Sequence, residues 1–128
     1  MKVAVPLFGR DVAPRFGFAE EFLIADIDAG GDTGARRVRI AGTGWPARLE
    51  ELQRLEVDAI VCGGFNRRFV PLAESCGMRV LAGVVGDARE AIASLARGDP
   101  PGAYENGEPG WLCENGPGRR KRKKREKK

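Results

Sequence analysis

The sequence predicts an α/β fold: a three-layer sandwich, with helices on both faces of a mixed five-stranded sheet ordered 3-2-1-4-5. Three observations carry this expectation. Strand-like runs come first as a hairpin and then alternate with helix-like runs. The run "DAIVC" (58–62) is short and unbroken in its apolar character, as in a strand covered on both sides. At 128 residues the chain can build one substantial core and no more.

The elements follow in order. "KVAVPLF" (2–8) is rich in strand formers, and "GRDVAPRFGFAEE" (9–21) is punctuated as a loop. "FLIADID" (22–28) predicts the second strand, and "AGGDTGA" (29–35) a turn. "RRVRIAG" (36–42) alternates arginine with Val38 and Ile40, as a half-exposed edge strand does. In "PARLEELQRL" (46–55), Leu49, Leu52 and Leu55 share one helical face behind Pro46. Strand 58–62 leads to a helix over 67–76, capped by Asn66, stapled by Phe65 and Val70, and stopped at Gly77. "MRVLAGV" (78–84) is the fifth strand. The last helix, 87–98, starts with Asp87 and Glu90 at capping-box spacing. The folded domain thus covers 1–98. A Gly/Pro-rich linker follows over 99–118, with four Pro and five Gly, and then a basic tail over 119–128, expected to be disordered.

Charge is distributed unevenly. Of 22 Lys/Arg, nine lie in "RRKRKKREKK" (119–128), which leaves 13 basic against 17 acidic residues in 1–118 and a net charge of −4 there. A nucleic-acid reading can therefore apply only to the tail. Three cysteines form neither a CxxC nor a disulfide framework, and no apolar run is long enough for a membrane span. No secretory leader pattern opens the chain, so a cytoplasmic protein with reduced thiols is expected. The chain contains no histidine, which removes the commonest general base and metal ligand. GxGxxG and GxxxxGK[ST] are absent, and the carboxylates do not gather for two-metal hydrolysis. Catalysis is not expected.

Ligands of open α/β sheets sit beyond the carboxyl ends of the strands, where strand order reverses. Here that point lies between strand 2–8 and strand 58–62, so the loop 9–21 and the turn "CGGF" (62–65) should converge. Gly63 and Gly64 could expose backbone amides, and the helix from Arg67 could add its positive end. Arg10, Arg15, Arg67 and Arg68 supply charge, while Phe16 and Phe18 could exclude water. Such surroundings would favour a Cys62 thiolate, a soft ligand for an anionic iron–sulfur species. Each residue also has a plainer reading: Cys62 as a small apolar residue, Gly63-Gly64 as close strand-to-helix packing, and the arginines as solvated loop residues.

"MKVAVPLFGRDVAPRFGFAEEFLIADID", "LEVDAIVCGGFNRRFVPLAESCGMRVL" and "GDAREAIASLARG" together resemble the dinitrogenase iron–molybdenum cofactor biosynthesis family, over roughly 1–98. That family includes nitrogen-fixation accessory proteins X and Y and the C-terminal part of protein B. The resemblance implies a ribonuclease-H-like sandwich. It implies binding or carriage of iron–molybdenum cofactor or an iron–sulfur cluster precursor, with metallocluster assembly or acceptor proteins as partners. Family members commonly carry histidine where this chain has Arg15, and arginine can neutralise a cluster but cannot ligate iron. Under this reading Cys62 is the metal ligand, and Arg10, Arg15, Phe16, Gly63, Gly64 and Arg67 surround the cofactor. A monomer and a homodimer sharing the cluster between two Cys62 thiols both fit.

Two features stand outside that reading. The tail cations Arg119, Arg120, Lys121, Arg122, Lys123, Lys124 and Arg125 suit nucleic acid or an acidic partner protein. They lack aromatic residues for base stacking. Trp111-Leu112-Cys113 is an apolar island in the linker that could dock on the domain or on a partner, and from it Cys113 could reach Cys62. A small redox or regulatory protein using Cys62 is a third possibility.

Overall fold

The computed structural model describes residues 1–28, 31–40, 44–98, 104–105 and 108–109. They form a mixed α/β fold around one mixed sheet, whose strands run β4-β3-β1-β5-β6-β7-β8, with β2 folded back on the end of β1. The strands are β1 (Lys2–Phe8), β2 (Asp11–Val12), β3 (Glu21–Asp28), β4 (Gly31–Arg39), β5 (Ala59–Val61), β6 (Arg79–Ala82), β7 (Tyr104–Glu105) and β8 (Glu108–Pro109). The helices are α1 (Trp45–Arg54), α2 (Val70–Ser75) and α3 (Ala88–Ala96).

Strand periodicity sorts the core into two layers. Val3, Val5 and Leu7 of β1 and Ala59 and Val61 of β5 point to one face, where Ala91, Ile92 and Leu95 of α3 cover them. Ala4 and Ile60 point the other way, onto Leu49 and Leu52 of α1 and Ala73 of α2. Asp87 caps α3 by accepting hydrogen bonds from the amides of Arg89 and Glu90 at 2.9 and 3.1 Å. Gly77 and Gly98 end their helices with φ of +82° and +78°, a conformation other residues adopt only with strain.

Several expectations need correction. The sheet holds more than five strands, because β2 pairs with β1 and the pair β7–β8 extends the β6 edge. That pair lies inside the segment expected to be an extended linker. The β3–β4 hairpin is tighter than expected, since β4 begins at Gly31 and ends at Arg39. Arg37 and Arg39 instead anchor it through ion pairs with Glu21 and Glu20, each at 3.0 Å. The helix expected over 67–76 divides into a 3-10 turn, Arg67–Phe69, and the six-residue α2. Trp111-Leu112-Cys113 and the tail cations lie outside the described residues.

Candidate functional site

β1 and β5 run parallel, with Val3 opposite Ala59 and Ala4 opposite Ile60, so both end on one rim. The loop after β1 and the turn after β5 meet there as expected. The amide of Gly64 donates to Pro14 O at 2.7 Å, and the amide of Phe16 donates to Gly64 O at 2.9 Å. Their approach is so close that a Cβ on Gly63 would stand 2.8 Å from Ala13 O, and one on Gly64 would stand 2.9 Å from Pro14 O. The glycines are there to let two backbones touch. The Gly64 amide, expected to face a ligand, is already bonded to the neighbouring loop.

Burial corrects the assignment of Cys62. Two residues beyond Ile60, it keeps the same strand phase and joins the layer under α1 and α2. Its relative exposure is 0%. Desolvation pushes the thiol up from its ordinary 9.0 to about 12, the opposite of the expected activated thiolate. Its amide and carbonyl are also engaged, with Leu81 O at 2.9 Å and the Val84 amide at 3.1 Å. A Cys62 ligand to a rim-bound metal and a reactive Cys62 redox centre both disagree with this geometry. Cys76 is half-buried at the end of α2. Among the described residues, no group of three or more His, Cys, Asp or Glu side chains gathers for a metal ion.

Phe16 likewise belongs to the core, with 0% exposure. Its ring lies 4.8 Å from Trp45, 5.1 Å from Phe65 and 5.6 Å from Phe22. Trp45 also stacks on Phe69 at 4.8 Å and 9°. This aromatic cluster clamps the seam from beneath, and Trp45 rests against Gly17, where a Cβ would be 2.9 Å from its Nε1. Arg48, buried to 7% exposure, donates from Nε to Ala19 O at 3.1 Å and holds the far end of the loop. Sequence reading missed Trp45 and Arg48 as builders of the site. A tryptophan at a helix start beside glycines was the available signal for the first; the second left none beyond its position on the Leu49 side of α1.

What remains open lies beside the seam. One groove of about 290 Å³ is lined by Leu7, Phe8, Ala13, Pro14, Arg15 and Phe18. A second, of about 440 Å³, lies among Gly63, Gly64, Phe65, Arg67, Val70, Val80 and Ala82. The first groove is bordered by exposed apolar rings, with Phe8 at 73% and Phe18 at 76% exposure. The Arg15 guanidinium sits 5.7 Å from the Phe18 ring centre. Arg15 and Arg67 thus stand one at each groove, whereas Arg10 lines neither. The backbone of Arg10 is instead fastened to the start of α3, its carbonyl accepting from Ala88 at 3.0 Å. The expected helix N-terminus at Arg67 is taken by Asn66, whose Oδ1 accepts from the Arg68 amide at 3.0 Å. No helix among the described residues is long and apolar enough to cross a membrane.

Comparison with known structures places this fold among relatives of low identity. The protein PH0822 superposes with a TM-score of 0.75 at 21% identity, over 81% of this chain and 96% of the other. The MJ0327 protein of Methanocaldococcus jannaschii gives 0.64 at 17%, over 77% and 90%. The apo form of the orange protein of Desulfovibrio gigas gives 0.61 at 22%, over 80% and 92%. At these identities the likeness establishes the fold alone. No match was found among curated proteins. The sequence profile described as dinitrogenase iron-molybdenum cofactor matches residues 1–98, nearly the whole described domain. The chain belongs to the dinitrogenase iron-molybdenum cofactor family.

Proposed function

We propose that this chain is a non-catalytic carrier that binds an anionic metal–sulfur cluster, iron–molybdenum cofactor or an iron–sulfur precursor, as releasable cargo at the carboxyl rim. Family membership over residues 1–98 supports the cargo class and the ribonuclease-H-like description of the sandwich. The observation that carries the mode of binding is the pair of rim grooves with apolar walls, one bearing Arg15 and the other Arg67. Cys62 is sealed beneath them, so the described residues fit recognition by charge and apolar contact, without a thiolate bond from the protein. Metal–sulfur clusters with thiolate caps are anionic, which suits guanidinium donors set at apolar grooves. Cargo held this way leaves without breaking a protein–metal bond. Acceptor or assembly proteins in a metallocluster route are the partners this chemistry implies.

The test is anaerobic retention of a preformed, thiolate-capped [4Fe–4S] cluster on the purified chain, followed by absorption after gel filtration. Retention should fall as salt rises, because exposed charges are screened. Arg15→Glu combined with Arg67→Glu should weaken it about tenfold or more per arginine, from charge-assisted contacts of about 1.5–3 kcal/mol each. A chain that retains no cluster, or whose retention ignores both salt and the arginine substitutions, contradicts the proposal.

A further inference from the structure

The strand register shows where the chain goes after the domain. β7 runs antiparallel to β6, with Tyr104 opposite Ala82. β8 runs antiparallel to β7, with Pro109 opposite Tyr104. β8 therefore runs parallel to β6 and leaves the sheet at the level of Ala82, on the carboxyl rim. The groove among Phe65, Val70, Val80 and Ala82 opens at that same place. Two residues beyond Pro109 come Trp111, Leu112 and Cys113, an apolar island in a stretch otherwise made of Gly, Pro, Asn and charged residues.

We propose that Trp111-Leu112-Cys113 folds back over the end of β6 and docks in this groove of its own chain. Reach selects the seat. Neighbouring strands lie about 4.8 Å apart, so β8 is roughly 10 Å from β6 and about 19 Å from β1. At about 3.3–3.6 Å per residue, Trp111 to Cys113 lie within roughly 7–14 Å of Pro109. The island thus spans the distance to the β6 groove and falls short of the groove beside Phe8 and Phe18. The walls suit it: Val80 is buried, while Phe65, Val70 and Ala82 are half-buried and offer apolar area to an indole and an isobutyl group. Docking also brings the Cys113 thiol to the rim, which Cys62 does not reach. The inference rests on strand register and groove chemistry; because this groove is also one of the two offered to the cargo, the island and a cluster would compete for it, and the tests below use the chain without cluster.

The full chain with Trp45→Phe has Trp111 as its single tryptophan, so its emission reports the island directly. Docking predicts emission to the blue of a solvated indole and slowed acrylamide quenching. Both should revert when Val70→Asp is added; this acidic residue is tolerated at the first turn of a helix but puts charge into the groove. Solvent-like emission in the Trp45→Phe chain overturns the proposal, and so does a blue-shifted emission that Val70→Asp leaves unchanged. A blue shift that disappears on dilution assigns the groove to a second copy and overturns docking within one chain. In the unaltered chain, alkylation of Cys113 followed by peptide mass should be slower than in the Val70→Asp chain. Equal rates overturn the proposal without any tryptophan substitution.

Discussion

Two regions of the rim, a few residues apart, have opposite physical character. The seam between 13–16 and 63–64 is tightly joined and sealed beneath: Cys62 and Phe16 are fully buried, and Gly64 exchanges hydrogen bonds with Pro14 and Phe16. Beside it, Arg15, Phe8 and Phe18 stand in solvent around an open groove. Of the candidate residues named from the sequence, Cys62 and Phe16 build the joint, while Arg15 and Arg67 stay at the open grooves. A turn rich in glycine at a switch point can serve either purpose. What decides is whether the second loop fills the space that the glycines leave.

Substitutions should separate the two regions by the size of their effect. Phe16→Ala removes the centre of the aromatic cluster and should cost about 3–5 kcal/mol in denaturant unfolding. A loss below about 1 kcal/mol would mean that the seam is not clamped as described. Gly63→Ala places a methyl group against backbone oxygen rather than a movable side chain. Overpacking of that kind should cost about 1–3 kcal/mol and disturb the amide signals of 13–16. Unperturbed signals there would show room at the joint.

The buried thiol predicts an alkaline sensitivity. With the folded value raised to about 12 from an ordinary 9.0, Cys62 stays protonated in the folded chain while the unfolded chain ionises. Its contribution to stability is whole below about pH 9 and is lost as pH rises toward 12. The slope over that window is about 1.4 kcal/mol per pH unit for the one proton. Cys62→Ala should flatten it, and an identical alkaline slope in the variant would sever the loss from this thiol. The smallest effect belongs to the open side. Arg15→Ala gives up one exposed cation–π contact, and its cost should stay below about 1 kcal/mol. A larger loss would place Arg15 in the structural joint.

Much of the fold was legible because periodicity and turn chemistry act locally. Asp87 and Asn66 cap where spacing indicated, and Gly77 and Gly98 stop their helices. The meeting of the PRFG loop with the CGG turn was also legible, from the parallel arrangement of β1 and β5. The exposure of Cys62 was misread, although its signal was present: it shares the phase of Ile60, and that face is covered by helices. Apolar character alone could not reveal that the run's last residue lies beneath a returning loop. The β7–β8 pair was hidden for a different reason, since two-residue strands among Gly, Pro and Asn have no periodicity to read. The closeness of Gly63 to Ala13 O depends on how two distant segments pack, which neither segment encodes alone.

Cluster retention after removal of the sealed thiol separates the two regions of the rim most directly. Cys62→Ala should hold a preformed [4Fe–4S] cluster as well as the unaltered chain does, while the Arg15→Glu, Arg67→Glu chain loses it. Retention abolished by Cys62→Ala in a chain that remains folded, and undiminished by the arginine changes, would return the site to the thiol and contradict the division of the rim described above.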